Sequence, residues 1–419
     1  MRIDELAENY NAFPYASLAV KQTHPWHLYR VATLYGFSPV EVAKAKVLEL
    51  GCASGGNLIP MAYHLPTTDF VGIDLAERQI QDGIQQITDL QLKNIELYSQ
   101  SIMDFQSNRL FDYIICHGLY SWVSQEIREQ VLALCRQYLS PQGIAYISYN
   151  TYPGWQSGDT VREFLRWQTV MIQSPLERIQ KAKEVLVWLE NALIHDHSPY
   201  ACLIKKEIDL MKMHSNHQLL HEHLSPYNEA YYFLDFLEQA NQFQLRYIGD
   251  AFLSNDLYAD VQDLQQSDYL LNRRFRCSLL CQKNEAKLPN RELTVFEALK
   301  STPNFADVMT EKTTFVTQKP RVCPLVLYQA SCQDFVTNQR HENIQLNPVA
   351  EIMLPYLDGD HDLNDLVALI FQEIENGTIV LVDKQGIEIQ DRKLGYQHVV
   401  TICQETLGLM AQNALLMPT

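Results

Sequence analysis

The 419-residue sequence predicts an α/β fold built on a Rossmann-like sheet, followed by a helical insertion and a smaller C-terminal α+β module. Three observations near the N-terminal end predict the sheet. The apolar run Val47-Leu48-Glu49-Leu50 is bounded by glycine and too short for a helix, which reads as a buried parallel strand. The turn Gly51-Cys52-Ala53-Ser54-Gly55-Gly56 leads into Leu58-Ile59-Pro60-Met61-Ala62, a segment of helical character. A second strand, Phe70-Val71-Gly72-Ile73, ends in Asp74. Strand, glycine turn, helix, strand and acid form the first half of a nucleotide-binding crossover.

The turn narrows the ligand. A phosphate cradle needs G-x-G-x-x-G, or G-x-x-x-x-G followed by Lys. Here the pattern is Glu49-x-Gly51-x-x-x-Gly55, and no Lys follows. An acid inside the first strand repels a pyrophosphate but suits a ligand with an ammonium group. S-adenosylmethionine has a ribose, an adenine, an ammonium group and a sulfonium, and no phosphate. Asp74 can accept both ribose hydroxyls. Dinucleotide binding by an atypical loop and a purely structural glycine turn are the competing readings.

Composition sets the frame. The length predicts two or three domains. A formal charge of −17 argues against a nucleic-acid surface and suits a basic protein partner or a lysine-bearing substrate. Nine cysteines with no C-x-x-C read as reduced thiols rather than a disulfide framework. No apolar leader opens the chain, and no apolar run approaches the roughly 18 residues of a membrane span. A cytoplasmic location is expected, with secretion by a route that needs no signal left open.

Residues 1–45 are expected to form an N-terminal cap, either plain packing or an aromatic flap over the cofactor. Residues 46–157 form the cofactor-binding core. Its third strand is Ile95–Ser101, after which Ser101, Ile102 or Met103 is expected against adenine. Its fourth, Phe111–Cys116, runs into His117-Gly118-Leu119-Tyr120-Ser121-Trp122, a loop that the strand-end rule places beside the ligand. A helix at Gln125–Leu139 and a fifth strand at Ile144–Tyr149 follow. Residues 158–242 read as a helical insertion, the usual place for a substrate lid, with Ile179, Ala182, Leu186, Leu189 and Leu193 as one apolar stripe. Residues 243–285 supply the last two strands, Gln244–Gly249 and Arg273–Cys281. The Arg273-Arg274-x-Arg276 cluster reads as sheet-edge charge, with a substrate or acidic-partner patch as the alternative.

Residues 286–346 read as a linker region, irregular or short-stranded from Thr294 to Leu327. In residues 347–419, two helices, a hairpin at 378–389 and a closing helix at Val399–Leu416 resemble a winged-helix module. Its eleven Asp and Glu against three Lys and Arg leave a balance of −8, so a protein-interaction or structural role is expected rather than DNA binding. His214, His217 and His221 would share a helical face at metal-ligand spacing. No cysteine or carboxylate cluster accompanies them, and no metal is expected.

In this order the motifs resemble those of class I S-adenosylmethionine-dependent methyltransferases. More narrowly, the chain is similar to members that carry a methyltransferase regulatory domain, the rickettsial protein-lysine methyltransferases among them. The pieces that match are YNAFPYASLAVKQTHP (10–25), VLELGCASGGNLIPM (47–61), FVGIDL (70–75), HGLYSWV (117–123), SYNTYPGW (148–155), HEHL (221–224) and RRFRCSLLC (273–281). Cys52-Ala53 departs from the pattern, where Cys-Gly or Gly-x is commoner, so the loop is more crowded. Cys277-Ser278 departs too, where Thr is usual one place on.

The resemblance implies a seven-stranded sheet with an antiparallel last strand and S-adenosylmethionine as cofactor. It implies a cofactor site from Glu49, Gly51, Cys52, Ala53, Gly55, Asp74, Leu75, Ser101, Ile102 and His117, closed over by Tyr10, Tyr15, Gln22 and His24. Methyl transfer needs the nucleophile held close to the methyl group, about 3 Å away, with water excluded. A lysine nucleophile must also lose its proton, which aromatic walls assist by desolvation. Tyr120 and Trp122 are expected on the cofactor side, and Tyr149, Tyr152 and Trp155 along a substrate channel; ordinary core packing is the alternative for each. Methylation of protein lysines is the leading expectation. The rivals are a small-molecule O- or N-methyltransferase and a binding protein without turnover. The oligomeric state stays open, a dimer included.

Overall fold

A computed structural model describes residues 17–252, 260–283, 316–382 and 392–417. The chain divides into two compact units. Among the described residues, one spans residue 17 and residues 25–88 and 92–283; the other spans residues 18–24, 89–91 and 316–417.

The first unit is organised by a seven-stranded sheet. Its strands are β1 (Lys46–Leu50), β2 (Asp69–Asp74), β3 (Ile95–Ser99), β4 (Phe111–Cys116), β5 (Leu139–Asn150), β6 (Leu245–Asp250) and β7 (Phe275–Gln282). The order across the sheet is β3-β2-β1-β4-β5-β7-β6. The first five strands pair in parallel, and β7 runs antiparallel to both β5 and β6. This is the α/β arrangement that the resemblance implies. β1 is buried at every position after Lys46, as a central parallel strand covered on both faces must be. Leu48, Leu50, Ile73, Ile114, Cys116 and Ile147 belong to one contiguous core.

The insertion after β5 is helical. Gln156–Thr169, Pro175–Leu193 and Pro199–Met213 pack around Val161, Leu165, Ile179, Ala182, Leu186, Ile204 and Ile208. Leu189 and Leu193 join this core half-buried. Ser174 and Ser198 cap the second and third helices, each accepting the N–H three residues on and each followed by proline at the first helical position. A further helix, Val261–Leu271, lies between β6 and β7 and carries the N-cap Asp260.

The arginine cluster departs from expectation. β7 lies inside the sheet, so this is no edge. Arg276 is completely buried, bonded to both Asp268 oxygens at 2.8 Å and to Asp250. A buried guanidinium needs that double compensation.

In the second unit, the helix Pro324–Cys332 packs on a ribbon of Val336–Thr337 and Asn343–Ile344, and helices Pro348–Met353, Leu363–Glu375 and Arg392–Gln412 pack on one another. The helix at Pro324 replaces the irregular chain expected there. Its apolar residues lack a clear 3.6 period, which hid it from pattern reading. Residues 383–391, the centre of the expected hairpin, lie outside the described residues. The segment 18–24 belongs to this unit. Asn343 bonds the backbone of Ala19 twice, Lys21 Nζ reaches Glu342 at 2.5 Å, and the His24 ring meets His341 edge-on.

Candidate functional site

The carboxyl ends of β1, β2 and β4 meet at the glycine turn. The N–H groups of Gly51 and Cys52 both donate to Ile73 O, at 2.9 and 3.1 Å, tying the turn to β2. Gly51 has φ +79°, and a Cβ there would stand 3.4 Å from Leu119 in the loop after β4. Ala53 also adopts a left-handed conformation, φ +50°. An alanine in this conformation carries strain that glycine would not. Ala53→Gly is expected to raise stability by about 0.5–1 kcal/mol, measured by denaturant unfolding.

Asp74 terminates β2 and grips both neighbouring loops. Its Oδ2 accepts from Ala53 N at 2.8 Å and its Oδ1 from Ala76 N at 2.9 Å. Leu75 N–H contributes a further bond. Burial raises its pKa above the ordinary carboxylate value, against those bonds. Each oxygen keeps a second lone pair for a hydroxyl group.

Glu49 is buried in β1, and its carboxyl is pushed up to about 8. Burial is the main cause; Asn57 Nδ2, 2.8 Å from Oε1, opposes it, and the Asp74 charge adds to it. Its other oxygen, Oε2, is buried without a hydrogen-bond partner. A carboxylate held this way is short of a cation. It fits the ammonium end of an amino-acid ligand.

Two partners escaped sequence reading. Asn57, eight residues beyond Glu49, is one. Ser17 is the other: its Oγ accepts from Gly56 N at 2.8 Å, and a Cβ on Gly56 would stand 2.1 Å from Ser17 O. The chain leading out of the expected flap therefore crosses the turn, and only glycine admits it. Tyr10 and Tyr15 lie outside the described residues. Gln22 and His24 lie in the segment that packs in the second unit.

Ser101 caps a short turn, Ile102–Asp104, by accepting from Met103 N, and Ile102 packs half-buried on the core. Cys52 is a buried thiol whose pKa burial pushes well up. His117 is held toward β5 and β7: its Nδ1 is 3.0 Å from Tyr146 OH, which in turn reaches Cys277 Sγ. Burial pulls the imidazole down to about 4, so it is neutral at pH 7.

The five aromatic residues divide. Tyr120 and Tyr149 are 0% and 1% exposed. Tyr149 stacks on Phe236 at 4.0 Å and meets Ser278 Oγ, while Tyr120 donates to Gln239 Oε1. Both rings are core in this structure, because the helix Phe233–Gln242 covers them. Trp122, Tyr152 and Trp155 lie just beyond the ends of β4 and β5, and Trp155 is itself buried, with the Arg274 guanidinium 5.1 Å from its ring centre. Trp122 and Trp155 meet edge-on at 6.1 Å, and Tyr152 lies 5.4 Å from Tyr232.

The expected histidine face does not form. His214 sits in extended chain after its helix, and a short turn at Asn216–Gln218 passes into a π-helical turn, Leu219–His223. His214 Nδ1 instead lies 2.9 Å from His223 Nε2, with Glu222 nearby. Burial pulls the His223 pKa down to about 3 and lowers that of His214. The charge of Arg274 bears on both rings, and that of Arg162 on His223.

Three family models match the chain. Residues 41–207 match "Methyltransferase domain", residues 215–282 "Predicted methyltransferase regulatory domain", and residues 318–415 "PKMT, C-terminal winged helix domain". The solved structure of PKMT2 from Rickettsia typhi in complex with AdoHcy superposes with a TM-score of 0.82 at 26% identity, covering 96% of this chain and all of that one. An uncharacterized protein of Rickettsia prowazekii (strain Madrid E) is 29% identical, covering 97% of this chain and 93% of its own length. A second from the same organism is 35% identical over 235 residues, which is 56% of this chain and 94% of that relative.

Proposed function

The chain belongs to the class I S-adenosylmethionine-dependent methyltransferases with a methyltransferase regulatory domain, and from that premise we propose that it methylates lysine side chains of proteins. The observation that carries the finer reading is the likeness to PKMT2, which runs through the core, the insertion and the winged helix alike. The acidic charge of −17 and the aromatic strand ends support it as well.

S-adenosylmethionine is the cofactor; when bound, it supplies the methyl group from its sulfonium carbon. In the proposed arrangement Asp74 takes the ribose hydroxyls, and Glu49 faces the ammonium end. The turn at Gly51–Gly55 admits the ligand close to the backbone, and Ser101 and Ile102 border the adenine. Trp122, Tyr152 and Trp155 wall the acceptor side, where they strip water from an incoming amine and lower its pKa. A neutral amine is the competent nucleophile, so this desolvation serves the transfer directly.

The test is incubation with methyl-tritiated cofactor and bacterial protein extract, followed by mass spectrometry. Label on lysine Nζ of one or a few proteins is the expected result. Label confined to small molecules, or to protein side chains other than lysine, would overturn the proposal.

A further inference from the structure

We infer that Asp159, with the Tyr152 hydroxyl bonded to it and the Tyr232 ring beside Tyr152, receives the ammonium group of the target lysine; this rests on the protein-lysine reading above. Asp159 lies in the first turn of the helix Gln156–Thr169, directly after β5. Tyr152 OH donates to its Oδ2 at 3.0 Å. Tyr232 is fixed beside them by Gln156 Nε2, 3.1 Å from its hydroxyl, and by stacking on Tyr269.

The group is anchored at the carboxyl ends of the central strands, where open α/β sheets bind ligands. Tyr152 N donates to Tyr231 O at 3.0 Å, and Glu229 N to Ser121 O at 2.8 Å. These bonds tie the β4 loop, the β5 end and the chain before the helix Phe233–Gln242 into one wall. Glu229 is exposed, and its charge reaches Tyr152.

Asp159 is half-buried, yet among the described residues no Lys or Arg forms an ion pair with it. The charges of Arg162 and Arg274 reach it, but the hydrogen bonds of both guanidinium groups are made elsewhere. Arg274 bonds both Glu207 oxygens, at 2.8 and 2.7 Å. Arg162 donates to the carbonyls of Glu222 and Ser225. Burial raises the Asp159 pKa, the mark of a carboxylate that gains from a cation beside it. Aromatic faces next to a carboxylate suit an alkylammonium in particular: the rings attract the cation and cover the methylene stem. A neutral acceptor would gain less from the acid, and the bound ammonium passes its proton to Asp159 or to water before the neutral amine attacks.

The test compares the wild-type chain with Asp159→Asn, Asp159→Glu and Tyr152→Phe. Acceptor KM is measured on the lysine-bearing protein that the labelling experiment identifies. Inhibition by n-butylammonium chloride is measured beside n-butanol, its neutral counterpart, and AdoHcy affinity serves as the control for folding. Asp159→Asn is expected to raise acceptor KM at least tenfold and to abolish n-butylammonium inhibition, with AdoHcy affinity within twofold of wild type. Asp159→Glu is expected to restore part of both. Tyr152→Phe is expected to raise KM about threefold.

A KM within twofold of wild type in Asp159→Asn, or equal losses of AdoHcy and acceptor binding, would overturn the inference. If Asp159→Asn fails to fold, an unchanged KM in Tyr152→Phe together with equal inhibition of the wild type by n-butylammonium and n-butanol overturns it instead. A wild-type chain that labels no lysine refutes the protein-lysine reading itself, which these variants leave untouched.

Discussion

Replacing Asp74 with alanine is expected to weaken AdoHcy binding about 100-fold or more, read by isothermal titration. Two ribose hydroxyls bonded to a charged acceptor are worth about 1.5–3 kcal/mol each, and both would be lost. The side chain also joins the turn at Ala53 to the chain at Ala76, so alanine removes the acceptor of three backbone donors, Ala53, Leu75 and Ala76. The melting temperature should therefore fall as well, because a buried donor without an acceptor costs free energy. Asp74→Asn keeps acceptor oxygen but loses charge, and an intermediate affinity is expected. A change below threefold in Asp74→Ala would remove Asp74 from the cofactor site.

Glu49 predicts a pH dependence. With a folded pKa of about 8 against an ordinary 4.5, the unliganded protein holds a proton that the unfolded chain releases. The folded state thus binds more protons, so this group's contribution to stability falls as pH rises between about 4.5 and 8. An ammonium group placed against Glu49 reverses the preference, since it favours the ionised carboxylate. Binding would then release one proton below pH 8. Affinity for AdoHcy should climb by up to about tenfold per pH unit from pH 6 toward pH 8, then level off. Glu49→Gln should flatten this slope and bind more weakly at pH 8. A flat wild-type profile over that range would contradict the placement of the ammonium group.

What could be read from the sequence was whatever depended on neighbours in the chain. Val47–Leu50 and Phe70–Ile73 announced themselves as strands because a buried parallel strand needs an unbroken apolar run. Gly51, Gly55 and Asp74 followed from the geometry of the first crossover. What escaped depended on long-range pairing. Ser17 meets Gly56 across 39 positions, and no local pattern encodes that contact. Tyr120 and Tyr149 look like Trp122 and Tyr152 in sequence, all at strand ends. Only the packing of Phe236 over the first two marks them as core. Arg276 read as edge charge because strand order is invisible in composition; β7 between β5 and β6 turns it into a buried ion pair. The three histidines lay on one face only if the helix continued through residues 214–223, and the chain breaks it at His214.

The central claim is that the crevice above the glycine turn holds a sulfonium nucleoside by Asp74 and Glu49. A crystal structure of the chain soaked with AdoHcy tests it most directly. The account predicts the ribose hydroxyls on the Asp74 carboxylate and the amino group within hydrogen-bonding distance of Glu49 Oε2. An empty crevice under saturating ligand, or NAD seated there in its place, would contradict it.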